Sequence, residues 1–165
     1  MSRVNKKDNF FKMRGYLEFV LRDAVTGDIV KKGKKRNTVS CGGRGWALAK
    51  LTGGSSNTNV ITALAIGSDS ASAPASNQSN LVSYMTIKNL GTTALTTATN
   101  SACTFTGAVS FASNETWSGS GQIGEFALFN NTTNSSFTMF NRVTTNSYIN
   151  FATSNTLAIT ITITN

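Results

Sequence analysis

The sequence predicts an all-β fold: an antiparallel, Greek-key-like β-sandwich with one short helix and an extended basic N-terminal arm. Three observations carry this. The closing stretch Thr156–Thr164 alternates without an error, with Leu157, Ile159, Ile161 and Ile163 on one face and Thr156, Ala158, Thr160, Thr162 and Thr164 on the other. Several further runs rich in β-branched and aromatic residues follow one another, separated by Gly, Asn, Ser and Asp clusters. The third is charge: 13 of the 15 Lys and Arg residues lie in the first fifty, set against four carboxylates, a net of +9, while residues 51–165 carry a net of −1. We divide the chain into an arm over residues 1–14 and a β-sandwich domain over 15–165.

The arm carries Arg3, Lys6, Lys7 and Lys12 around Phe10 and Phe11. Two readings fit it. The cations steer it to an anionic partner while the phenylalanines anchor it, or it is a tail whose phenylalanines fold back onto the domain. Gly15–Arg22 is strand-like. The cluster Asp23 to Asp28 is a turn, with Gly27 suited to a positive φ. Ile29 and Val30 open a return strand that runs into Lys31, Lys32, Gly33, Lys34, Lys35 and Arg36. This makes a hairpin with a basic second arm, and lysines on such an edge also discourage edge-to-edge pairing.

Ser40 is a candidate cap for a short helix over Cys41–Leu51, packed through Trp46, Leu48 and Leu51. Gly42, Gly43 and Gly45 disfavour that helix by up to ~1 kcal/mol each, so they call for close packing there. Val60–Ile66 and Leu81–Leu90 read as strands, joined by a surface loop, Gly67–Asn80, that holds the only proline, Pro74. Thr92–Asn100 is ambiguous. Ala102–Phe111 alternates, with Cys103, Phe105, Val109 and Phe111 on one side. Gly121–Phe129 is apolar on both sides, with Ile123, Ala127 and Phe129 on one and Phe126 and Leu128 on the other. Phe137–Val143 is its hairpin partner, and Tyr148–Phe151 leads into the closing strand. The tally is seven to nine strands.

The closing strand spans roughly 30 Å at about 3.3 Å per residue. We expect it to be a principal strand of a half-buried sheet; the alternative is an edge strand held by a partner subunit. The expected core is Leu64, Ile66, Phe105, Val109, Ile123, Phe126, Leu128, Leu157, Ile159 and Ile161.

The composition narrows function. There is no histidine, the commonest acid–base group and metal ligand, and there are only seven carboxylates. Cys41 and Cys103 stand alone, without zinc or redox spacing. The glycines near residue 43 lack the spacing of a phosphate-binding loop. No run approaches the ~18 apolar residues of a membrane-crossing helix. Charged residues are 13% of the chain, against ~25% in ordinary soluble domains, leaving a hydroxyl-rich surface suited to packing in an assembly. Glu125, a lone carboxylate in an apolar strand, calls for a structural partner: Arg142 on the neighbouring strand or backbone N–H groups.

Five short stretches then stand in a familiar order: Val39 to Arg44, Ala65 to Pro74, Gly124 to Asn130, Thr138 to Arg142, and the closing strand. Their order resembles small β-rich structural proteins of tailed bacteriophages, of the head-decoration (cement) kind. The resemblance runs from about Gly15 to the end. It implies a non-enzymatic virion component. We expect no cofactor or metal, and the major capsid protein or other virion proteins as partners; the neutral Ser/Thr/Asn surface and the loop Gly67–Asn80 point to a homo-oligomer, most simply a trimer. The expected docking residues are Arg3, Lys6, Lys7, Phe10, Phe11, Lys12, Lys31, Lys32, Lys34, Lys35 and Arg36. A tail, neck or fibre module, with Trp117 or Tyr148 touching sugars, is the second class. A nucleic-acid-binding protein is the third; it lacks the aromatic-interleaved basic sheet of single-strand binders.

Overall fold

The computed structural model describes residues 14–40, 43, 61–75, 77–97, 103–115, 121–132 and 138–164, with the backbone alone for 92–97 and 103. Ten strands are described: β1 (Arg14–Asp23), β2 (Ile29–Arg36), β3 (Thr38–Val39), β4 (Ala63–Gly67), β5 (Tyr84–Asn89), β6 (Thr92–Thr97), β7 (Cys103–Phe111), β8 (Gln122–Phe129), β9 (Met139–Asn150) and β10 (Asn155–Thr164). They form two five-stranded sheets, a front sheet ordered β2-β1-β10-β7-β6 and a back sheet ordered β3-β9-β8-β4-β5. Every pairing is antiparallel. The fold is an all-β sandwich, as the alternation predicts.

β10 is the middle strand of the front sheet, paired with β1 from Arg14↔Thr164 to Asp23↔Asn155 and with β7 from Leu157↔Phe111 to Thr164↔Thr104. The edge-strand alternative is therefore excluded. Its even positions look outward and its odd positions inward, where Leu157, Ile159, Ile161 and Ile163 meet Leu17, Phe19 and Leu21 of β1. From the back sheet, Leu64, Ile66, Ile123, Phe126, Leu128, Val143 and Ile149 complete the core. Each such side chain contributes roughly 1.5–3 kcal/mol when withdrawn from water. Of the ten expected core residues nine are buried, and Phe105 packs partly buried against them.

The back sheet is covered on its outer side too, where Ala63, Ala65, Leu81, Ala127, Phe129 and Met139 form a second cluster. One expectation fails here. Ile123 faces the central core with Phe126 and Leu128, not the Ala127 and Phe129 side. The pairing of β8 with β9 jumps from Ile123↔Ile149 to Glu125↔Thr144. A bulge of this kind shifts the side-chain parity of everything beyond it. Residues 145–148 of β9 bow outward opposite Gly124, with Asn146 at φ 60° and the Thr145 hydroxyl donating to the Gly124 carbonyl at 3.1 Å.

Ten strands are one more than the upper end of the expected seven to nine. β3 is a two-residue continuation of β2 that crosses from the front sheet to the back at Asn37. β6 comes from the threonine-rich stretch Thr92–Asn100, whose sequence is ambiguous. The expected helix over Cys41–Leu51 lies outside the described residues apart from Gly43. That glycine is pressed against the Phe140 carbonyl, where a Cβ would not fit, in keeping with the close packing the glycines called for.

Candidate functional site

The basic hairpin is built locally. Asp23 accepts the amides of Val25 and Thr26 at 2.8 and 2.9 Å, and Gly27 takes φ 78°. Those two amides, Thr26 first, hold the Asp23 carboxyl below its ordinary range. β2 then runs back as the edge of the front sheet, with Val30 as the extra residue where the register shifts past Leu21 and Arg22.

The pleat divides the five cations of this strand. Lys32, Lys34 and Arg36 stand opposite Val20, Glu18 and Tyr16 and point outward. Lys31 and Lys35 stand opposite the buried Leu21 and Leu17 and turn under the edge. Lys31 Nζ donates to the Tyr148 carbonyl of β9 at 2.6 Å, tying the two sheets together along this side. Lys34 is engaged outside: it lies 2.8 Å from Glu18 and 4.9 Å from the centre of the Tyr16 ring. The side-chain hydrogen bond to Glu18, then its charge, raises the Lys34 pKa. The expected docking cluster is thus two groups on two sides of one strand. Arg3, Lys6, Lys7, Phe10, Phe11 and Lys12 lie outside the described residues, as do Trp117 and the side chains of Cys41 and Cys103. Tyr148 is exposed at the bow of β9.

A second constellation sits on the outer side of the back sheet. Arg142 is 1% exposed and Glu125 is fully buried. Arg142 Nε donates to Glu125 Oε2 at 2.7 Å, and one terminal nitrogen donates to Asp69 Oδ2 at 2.7 Å. The other donates to the Ser72 carbonyl and Gln78 Oε1, both at 3.1 Å. Glu125 also accepts the amides of Val82 and Ser83 at 3.1 and 2.6 Å. Both partners foreseen for Glu125 are therefore present. Two charges removed from water cost several kcal/mol each unless every site on them is used. Here the guanidinium fork and both carboxylate oxygens are used.

This network fastens the loop 68–83. Asp69 accepts the amides of Ala71 and Ser72 at 3.1 and 3.2 Å, closing a turn at its start. Burial pushes the Asp69 carboxyl up, but the Ser72 hydroxyl, the two amides and Arg142 outweigh it, and its pKa lies below the ordinary value. The chain lies directly on the sheet: a Cβ on Gly124 would meet the Ser70 amide at 2.6 Å, and one on Gly67 would strike the Glu125 carboxyl. The loop delivers Leu81 to the outer cluster and leaves Val82 exposed, as is Tyr84 at the start of β5. The loop was legible in the sequence; its attachment to Arg142 was not, since its three bonds to Arg142 come from residues more than sixty positions away.

The polar groups of this network are engaged with one another and with the loop they hold. Among the described residues no group of three or more His, Cys, Asp or Glu stands ready to hold a metal ion. A crevice between Gly43, Ile61, Asn130, Thr138 and Phe140 has room for about one water molecule, ~10 Å³. No family model, curated protein or solved structure matches the chain.

Proposed function

We propose that this chain is a non-enzymatic structural protein of a tailed-bacteriophage virion, most simply a head-decoration (cement) protein docking through its basic N-terminal region. The observation that carries this is the separation of charge: a net of +9 in residues 1–50 and −1 in the rest. Attraction to an anionic surface must come from that end. The hydroxyl-rich remainder suits packing beside copies of itself, and a homo-oligomer, most simply a trimer, on the major capsid protein is the assembly we propose. The order of the five motifs, four of which belong to the back sheet and its loop, adds the resemblance to phage structural proteins.

Copy number in purified virions tests this. Hundreds of copies per particle are expected. A few dozen or fewer would instead mean a neck, tail or fibre part. None, together with DNA binding that falls steeply with salt, would mean a nucleic-acid-binding protein. Removing residues 1–12 leaves β1 intact, so the truncated protein should fold and load poorly. Loading at wild-type occupancy would make the arm a passive tail.

A further inference from the structure

The outward face of the front sheet combines two surfaces that the sequence keeps apart. On β1 and β2, Arg14, Arg22, Lys32, Lys34 and Arg36 point outward, with Glu18 the one carboxylate among them. Glu18 is matched by Lys34. Among the described residues, Arg14, Lys32 and Arg36 have no carboxylate partner. The outward positions of β10 and β7 are short: Thr160, Thr162 and Thr164 beside Ala108, Thr106 and Thr104. These are half-exposed, and no side chain longer than threonine stands among them. A cationic border therefore adjoins a low plateau of hydroxyls and methyls.

We propose that this face is a docking surface for an acidic protein surface, the cations of β1 and β2 meeting its carboxylates and the threonine plateau lying flat against it. It refines the functional proposal above and rests on it for the premise that the basic end docks. It also moves the site: Arg14, Arg22 and the plateau enter, and Lys31 and Lys35, turned under the edge, leave.

Charge and size both favour this occupant. Five strands at about 4.8 Å and some ten residues at about 3.3 Å give roughly 800 Å². A specific protein–protein interface buries about 800 Å² on each side. The outward cations of β2 recur about every 6.7 Å, the spacing of alternate residues on a strand. Single-stranded nucleic acid asks for aromatic faces to stack on. Among the described residues the one outward aromatic ring on the basic half is Tyr16, and Lys34 Nζ lies 4.9 Å from its centre.

The test is an amide-resolved NMR titration of the full-length protein with poly-L-glutamate at physiological ionic strength, and in parallel with a DNA duplex of similar charge. Saturable shifts are expected at outward positions of β1, β2 and β10. Lys32→Glu with Arg36→Glu should weaken binding about tenfold or more, and Thr162→Lys, a surface change that adds charge to the plateau, should tighten it about threefold. Shifts confined to residues before Arg14, or an affinity unmoved by both variants, overturn the proposal. Tighter binding of the duplex to the same face also overturns it and makes nucleic acid the partner. The titration uses the isolated protein, so a chain missing from virions removes the functional proposal without touching this result.

Discussion

The two sheets solve the same problem in opposite ways. The front sheet keeps its outer face wet, and its charges stand in water or pair loosely across it, as Lys34 and Glu18 do at about half exposure. The back sheet is buried on both faces through β4, β8 and the first half of β9, and there it takes charges inside, with Arg142 and Glu125 at the limit of burial. A sheet with one wet face places polar residues by simple alternation. A sheet with two dry faces needs partners for its buried polar groups, and the network on Arg142 supplies them for its two buried charges, while among the described residues Asn141 Nδ2 on the same sheet has none. So the front sheet leaves its polar groups facing water, while the back sheet spends its own on holding its loop.

The largest expected effect breaks the front sheet from within. Ile161→Asp places an unpaired carboxylate in the core at several kcal/mol and should unfold the domain, read by circular dichroism. Thr160→Asp, one residue away and outward, should leave it folded. The pair of variants measures the alternation directly.

Next is the back sheet. Arg142→Met strands Glu125 and Asp69 and should cost about 3–5 kcal/mol in urea denaturation. Adding Glu125→Gln should recover part of that loss, because the stranded charge is then gone. Arg142→Lys keeps the charge but not the fork, so amide exchange should quicken within residues 69–83 more than in β8 and β9.

A smaller effect is expected from pH. The Asp69 pKa is lower in the folded chain, so folding is favoured by the ionised form. That stability is complete above the unfolded carboxylate value, about 3.9, and is lost as pH falls through the lowered folded value. Asp69→Asn should flatten the acid limb of a stability–pH profile. Asp23, in the front-sheet turn, has the same sign and should supply a remaining slope that Asp23→Asn removes.

The smallest expected effect is Lys34→Ala. Its ion pair with Glu18 is exposed, and the thermal midpoint should stay within error of the parent. A clear drop would mean that the front sheet also relies on placed charges.

The same contrast governs what the sequence disclosed. β10 was readable because its period has no error and its two faces meet different media. The Glu125–Arg142 pair was readable because a lone carboxylate in an apolar strand has to be answered. Ile123 was misplaced because a bulge belongs to two strands at once, and nothing in Gly121–Phe129 announces that β9 contributes four residues opposite Gly124. The continuation of β9 through Thr144 to Ser147 looks like any polar turn cluster. The division of the β2 cations was within reach, since alternate residues of a strand face opposite ways, but only the anchor of β1's buried leucines says which half looks out.

The register that places Arg14 opposite Thr164 has a mechanical consequence. The two ends of the described domain leave the same edge of the sandwich on neighbouring antiparallel strands. A force pulling those ends apart loads the rungs between β1 and β10 one at a time, from Arg14↔Thr164 inward, as a zipper opens. A force that drags β1 along β10 loads all of them together in shear. The domain should therefore be weak when tugged by its termini and strong when its front sheet is sheared, and forced-unfolding measurements with handles at Arg14 and Thr164, against handles at Arg14 and Asn155, would read the two directions separately.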